Sequence, residues 1–169
     1  MSTFFDNPRR LSVKVIRVMK ALAILYILAI CIMCFMPQPQ LFEGIKTPNI
    51  IYVGRLRFLL VPFNSILGLG KVNTLFEGVW IFCQNLMNVF LLLPLVYLCH
   101  FLTSKWHGYA KSFLLGLTIS FSIEITQLLL DVAINANRVF EIDDLWTNAL
   151  GASIAYGLFR LTCSSKILT

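Results

Sequence analysis

The chain has 169 residues, of which 58% are hydrophobic and only 13% are charged. An ordinary soluble domain carries about twice that charged fraction, and the apolar residues here are gathered into long runs, so composition points to one integral membrane domain. The net charge of +6 falls mainly beside those runs, which argues against nucleic acid as a partner.

In chain order, the first run is "VMKALAILYILAICIMCFM", residues 18–36, closed by Pro37 and Pro39. Five Lys or Arg precede or enter it. It is too long for a secretory signal core and no small-residue cleavage site follows, so it reads as a retained span. The loop over 37–78 contains "NIIYVGRLRFLLVPFNSILG", too interrupted for a full span. It is expected to lie at the membrane interface, with Arg55 and Arg57 near headgroups, or to re-enter the bilayer with its free backbone groups facing protein or water.

The second span is predicted over 79–102, with Asn85 and Asn88 near its start and Pro94 inside it. The third covers 112–130 and contains "SFSIEITQLLL", which places Ser120, Glu124 and Gln127 within an oily run. The fourth, 145–162, is weaker by hydropathy. Its Gly151, Ala152, Ser153, Ala155 and Gly157 suit close helix packing. The expected fold class is therefore an all-α, polytopic bundle of four transmembrane helices. Residues 1–17 form a basic N-terminal segment, 18–162 the membrane domain and 163–169 a tail.

Charge orients this arrangement. Segments 1–20, 103–111 and 160–169 hold nine of the 14 basic residues and one acid, Asp6. The opposite loops hold Lys46, Arg55, Arg57, Lys71 and Arg138 together with six acids. Basic residues near membrane ends are retained in the cytoplasm, so both termini are expected inside.

That direction puts Asn85, Asn88, Glu124, Gln127, Asp143, Asp144 and Asn148 at one outer level. The i,i+3 and i,i+4 spacings align Asn85 with Asn88, Ser120 with Glu124 and Gln127, and Asp144 with Asn148. A carboxylate at Glu124 needs a donor, a proton or water, and Arg57 and Arg138 reach the same level. The structural alternative is a hydrogen-bonded network that only holds helices together. Asp144 also suits the start of a helix.

No metal site or cofactor is expected. Adjacent Asp143 and Asp144 are weak evidence for a divalent cation, and His100 and His107 lie towards the cytoplasmic side. Cys31, Cys34, Cys83, Cys99 and Cys163 are odd in number and sit in apolar settings, which argues against a disulfide framework. Familiar nucleophile-elbow, zinc-protease and phosphate-loop motifs are absent from the sequence.

Four ordered elements, "RLRFLLVPFNSILG", "NLMNVFLLLPLVYL", "SFSIEITQLLL" and "RVFEIDDLWTNALGASIAYG", resemble the VanZ-like family over roughly residues 50–160. Arg57, Pro62 and Phe63 match its first element, although Asn64 follows the Phe instead of an Asn preceding the Pro. Asn85, Asn88 and Pro94 match the second, without its closing glycine. Ser120, Glu124 and Gln127 match the third. Arg138, Phe140, Ile142, Asp143, Asp144, Asn148 and Gly151 match the last. The resemblance implies a membrane accessory protein of the bacterial cell envelope, associated with reduced susceptibility to glycopeptides, teicoplanin especially.

Three functions compete on this reading. The preferred one is binding of a glycopeptide, a lipid-linked cell-wall precursor or an envelope protein at the outer surface, with membrane lipids alongside. The second is an intramembrane enzyme acting on a lipid-linked sugar or phosphate, with Glu124 or Asp144 in acid–base chemistry and Arg57 or Arg138 on an anionic substrate. The third is an oligomeric transporter, disfavoured by the small number of spans and by the lack of an internal duplication.

Overall fold

The computed structural model describes residues 12–37, 49–64 and 75–165. The expected basic arm before residue 12, the C-terminal tail beyond 165 and much of the 37–78 loop lie outside the described residues. Four long helices and a small sheet make up the rest: α1 (Val13–Phe35), β1 (Ile51–Val53), β2 (Leu56–Leu59), α2 (Leu75–Leu102), α3 (Tyr109–Ile134), β3 (Phe140–Glu141) and α4 (Ile142–Ser165).

Three of these are long and apolar enough to cross a membrane: Val13–Phe35, Phe82–Leu102 within α2, and Tyr109–Ile134. The first, at 23 residues, is roughly 34 Å long at the α-helical rise, against a hydrocarbon core of about 30 Å. It starts at Val13, ahead of the predicted residue 18, and so takes Lys14 and Arg17 into its first turns. It stops where expected: the Met36 N–H closes the last turn on Ile32 O at 3.2 Å, and Pro37 cannot extend the ladder.

The distribution of side chains is inverted relative to a soluble bundle. On α3 the buried residues are Ser112, Gly116, Ser120, Ile123, Glu124, Gln127 and Asp131, one face of polar and small groups. Phe113, Leu114, Phe121, Ile125, Leu129 and Val132 point outward. An apolar exterior over a polar interior is the arrangement that hydrocarbon solvent selects. The chain is a membrane-associated helical protein.

Small residues let α4 run between α2 and α3. Ala149, Ala152 and Ala155 are fully buried. A Cβ on Gly151 would fall 1.9 Å from Val89 O, and one on Gly116 would fall 2.6 Å from Ala152 Cβ. Backbones this close need glycine at the crossing. Asn88 meets Asp144 and Tyr97 Oη bonds Thr162 Oγ1 at 2.9 Å, so α2 and α4 run parallel. Ser120 meets Asn148 and Tyr109 stacks edge-on against Tyr156, so α3 and α4 are antiparallel. α1 lies outside this trio and contributes Ala23, Ile30 and Cys34 to a core that also holds Leu92, Val96 and Ile123.

The loop segment predicted to be interfacial or re-entrant is, where described, a hairpin. Ile51 pairs with Phe58, Tyr52 with Arg57 and Val53 with Leu56. Gly54 at φ 63° supplies the left-handed residue of its tight turn. β2 then pairs in parallel with β3, Phe58 beside Phe140 and Leu59 beside Glu141. The short strand β3 follows a linker in which Asn135 and Asn137 take positive φ, a conformation asparagine tolerates better than most residues. The sheet is therefore fastened to the end of the bundle where α3 finishes and α4 begins. At the other end His107 bonds His100 O at 2.9 Å, and His100 bonds Ser112 at 3.1 Å, closing the α2–α3 turn.

Candidate polar cleft

At the sheet-bearing end, the last turns of α1, the first part of α2, the last part of α3 and the start of α4 surround a cleft of about 640 Å³. Its polar lining includes Asn88, Glu124, Gln127, Arg138, Asp144 and Asn148, six residues that sequence spacing places at one level. Tyr26, Met33, Met87, Phe90, Leu91 and Ile123 form an apolar wall.

Glu124 is 2% exposed. Its position follows from the inward polar face of α3, and its Oε2 accepts the Glu141 backbone N–H at 3.1 Å. Asp144 sits in the first turn of α4 and accepts a hydrogen bond from Asn88 Nδ2. The Glu124 and Asp144 carboxyls both line the cleft. Gln127 Nε2 donates to Cys34 O at 3.0 Å, tying α3 to the last turn of α1.

Arg138 fastens the same corner from the other side. Its Nη2 donates to Met33 O at 2.8 Å and Met36 O at 2.7 Å, which satisfies carbonyls left open at the C-terminus of α1. The Arg138 backbone N–H donates to Asp131 Oδ1 at 2.9 Å. The guanidinium therefore caps a helix end and does not pair directly with Glu124.

Other expected members lie beside the cleft or away from it. Ser120 lies behind the lining: its Oγ donates to Asp144 O at 3.0 Å and accepts from Asn148 Nδ2 at 2.9 Å. Asp143 turns to the other side of α4, where its Oδ1 accepts the Phe63 N–H at 2.7 Å and Trp146 Nε1 at 2.9 Å. Phe63 packs on Trp146 at 5.1 Å between ring centroids. Asn64 is buried and accepts from Asn49 Nδ2 at 2.7 Å. Arg57 donates to Asn137, binding the hairpin to the α3–β3 linker. Arg57, Asn64, Asn85 and Asp143 are not lining residues of this cleft.

The site expected from sequence does not include Glu141, Asp131 or Tyr26. Glu141 lines the cleft, and burial beside Asp144 and Asp143 pushes its carboxyl up to about 8. Asp131, 2% exposed, extends the Ser120–Glu124–Gln127 face by one more step of four, a signal the i,i+4 rule contains. Tyr26 Oη donates to Leu91 O at 3.1 Å, one turn before Pro94. Among the described residues, no three His, Cys, Asp or Glu side chains converge to hold a metal ion.

The matching residues of the cleft are spread over most of the chain, and so is its likeness to known sequences. The VanZ/LLP1 family model matches residues 23–163, from the middle of α1 to the end of α4. No curated protein and no solved structure gives a significant match. The chain belongs to the VanZ/LLP1 family.

Proposed function

We propose that this is an accessory protein of the bacterial cytoplasmic membrane that holds the head of an amphipathic envelope molecule in the polar cleft. A glycopeptide and a lipid-linked wall precursor are the chemical classes that fit, and an envelope protein presenting either would dock at the same mouth. The observation that carries this reading is the joining of two surfaces in one cleft. A floor of carboxyl and amide groups meets a wall containing Met87 and Phe90, both largely exposed on the bundle exterior. A head group can occupy the floor while its tail lies along the helices in lipid.

In this reading α4 is a fourth span. Its 24 residues extend roughly 36 Å, and it runs beside α2 from Asn88 to Tyr97 and beyond. A fourth span, with the basic excess near residues 1–20, 103–111 and 160–169, supports a direction with both termini in the cytoplasm and the cleft outside. Sequestering either the glycopeptide or the precursor it recognises would lower susceptibility to teicoplanin.

The test is binding by purified protein in lipid nanodiscs, using teicoplanin and purified lipid-linked precursor. Saturable binding of either, weakened by Met87→Trp, which fills the wall, agrees with the proposal. No binding of both, by protein that remains folded, sinks it.

A second reading is favoured by the joint presence of the Glu124 and Asp144 carboxyls in the cleft lining, since carboxyls facing one space are equipped for acid–base work on a lipid-linked substrate. Mass spectrometry of a defined precursor after incubation separates the two readings. A changed precursor mass establishes turnover, and an unchanged mass with saturable binding favours the first.

A further inference from the structure

The hydrogen-bond inventory of the cleft is lopsided. Its side-chain donors are largely spent within the protein: Asn88 on Asp144, Gln127 on Cys34 O, Asn148 on Ser120, and the Arg138 Nη2 on Met33 O and Met36 O. Acceptors remain. Asn148 is 3% exposed and lines the cleft, yet its Oδ1 is buried with no partner. A buried acceptor left open costs on the order of 1–3 kcal/mol, a deficit that a donor on a ligand would remove.

Charge points the same way. Glu124, Glu141 and Asp144 contribute three carboxyls to the lining against one guanidinium, that of Arg138. The carboxyls do not converge with a further ligand on one point, as a metal ion would require. They are set around the space, where a head group carrying several N–H bonds can reach more than one of them. Arg138 Nε is a buried donor without a partner, and a single hydroxyl or carbonyl oxygen beside the amine would satisfy it.

We propose that the cleft selects amphiphiles whose head group is a primary ammonium, received by Asn148 Oδ1 and the surrounding carboxyls, with the chain lying against Met33, Met87, Phe90 and Ile123. This rests on the reading of the cleft as an amphiphile site and adds the sign and hydrogen-bonding character of the ligand: among the groups on a large envelope molecule, the floor receives a free amine and not a phosphate. A primary ammonium brings three donors and one positive charge, whereas a quaternary ammonium brings the charge alone. An ammonium stabilises the ionised form of the three carboxyls, whereas an anionic head opposes it. The methionines of the wall adapt to chains of differing shape.

The experiment uses the full-length chain in a nonionic detergent and native mass spectrometry, with dodecylamine, dodecyltrimethylammonium and dodecyl sulfate as equal-length probes. Dodecylamine should bind saturably and about tenfold or more tighter than either of the others. Glu141→Gln, which keeps the backbone N–H on Glu124, should reduce that preference several-fold, and Met87→Trp should displace the probe. Equal or tighter binding of dodecyl sulfate would overturn the ammonium proposal while leaving an amphiphile cleft in place. Equal binding of the trimethylammonium probe would overturn the role given to the donors. Binding that survives Met87→Trp unchanged would put the amine elsewhere and overturn the site. Failure of all three probes to bind would overturn this proposal, while the nanodisc assay with teicoplanin and the wall precursor decides the cleft reading separately.

Discussion

Glu124 ties two elements together and faces a third: it stands on α3, accepts the Glu141 N–H of β3 and lines the cleft with Asp144 of α4. Glu124→Gln retains an oxygen for Glu141 N and a side chain of the same size. Glu124→Ala leaves that N–H without its acceptor, at a cost of about 1–3 kcal/mol. Thermal unfolding in detergent should therefore show Ala well below wild type and Gln close to it. Ligand affinity, measured at matched folded protein, should fall in both. Gln binding as tightly as wild type would remove the charged contact from the account. Glu141 carries a separate, pH-dependent signature. The folded chain keeps its proton up to about 8, against 4.5 for an unperturbed glutamate, so its stabilising contribution is complete at acid pH and is lost as pH rises through that window. Asp144 and Asp143 are the charged neighbours that reinforce the effect of burial on it. The unfolding temperature should fall from about pH 5 to about pH 8, and Glu141→Gln should flatten that fall. A wild-type profile that rises over the same range would contradict it. Much of this site is legible from spacing, because a buried polar face on an apolar helix stands out at Ser120, Glu124 and Gln127. The role of Arg138 is not, since its partners are the main-chain carbonyls of Met33 and Met36, which no residue type announces.

Among the elements, α4 depends most on what it lacks. Its Gly151 lies against Val89 O, so Gly151→Ala would place a methyl group into the α2 backbone, not against a movable side chain. Separation of α2 and α4 should cost about 1–3 kcal/mol and disturb the Asn88–Asp144 bond, which lies one residue away on α2 and two turns away on α4. Gly157→Ala is the matched control, because its Cβ would meet Tyr109 Oη at an ordinary 3.6 Å. Unfolding temperatures should drop for Gly151→Ala and change little for Gly157→Ala; equal effects would deny the close crossing. The small residues of α4 disclose this packing in the sequence. The sheet is hidden there for a physical reason. Strands of three, four and two residues carry no usable alternation, and β2 is defined by pairing with Phe140 and Glu141 some eighty positions away. Apolar content along Ile51–Leu59 reads equally as interface, and only the tertiary partner decides.

Across the whole molecule, the three apolar helices and the outward-facing aliphatic and aromatic residues follow directly from composition, while direction rests on where the basic residues lie. Arg55, exposed at the hairpin turn, and Lys105, exposed in the α2–α3 turn, report opposite sides. Cysteines placed there on a background lacking the five native thiols should label from outside at position 55 and only after permeabilisation at 105. The reverse pattern would invert the molecule and turn the cleft towards the cytoplasm. The central claim is that the cleft, and not the lipid-facing surface, takes the head of an amphiphile. It is tested most directly by photocrosslinking in nanodiscs, with a diazirine placed next to the head of a lipid-linked wall precursor, followed by peptide mapping. The account predicts saturable adducts on 83–91 and 138–148, the segments that line the cleft, suppressed by excess unmodified precursor. Adducts spread over Leu25, Phe113 and Leu129 on the exposed faces, unaffected by competitor, would contradict it.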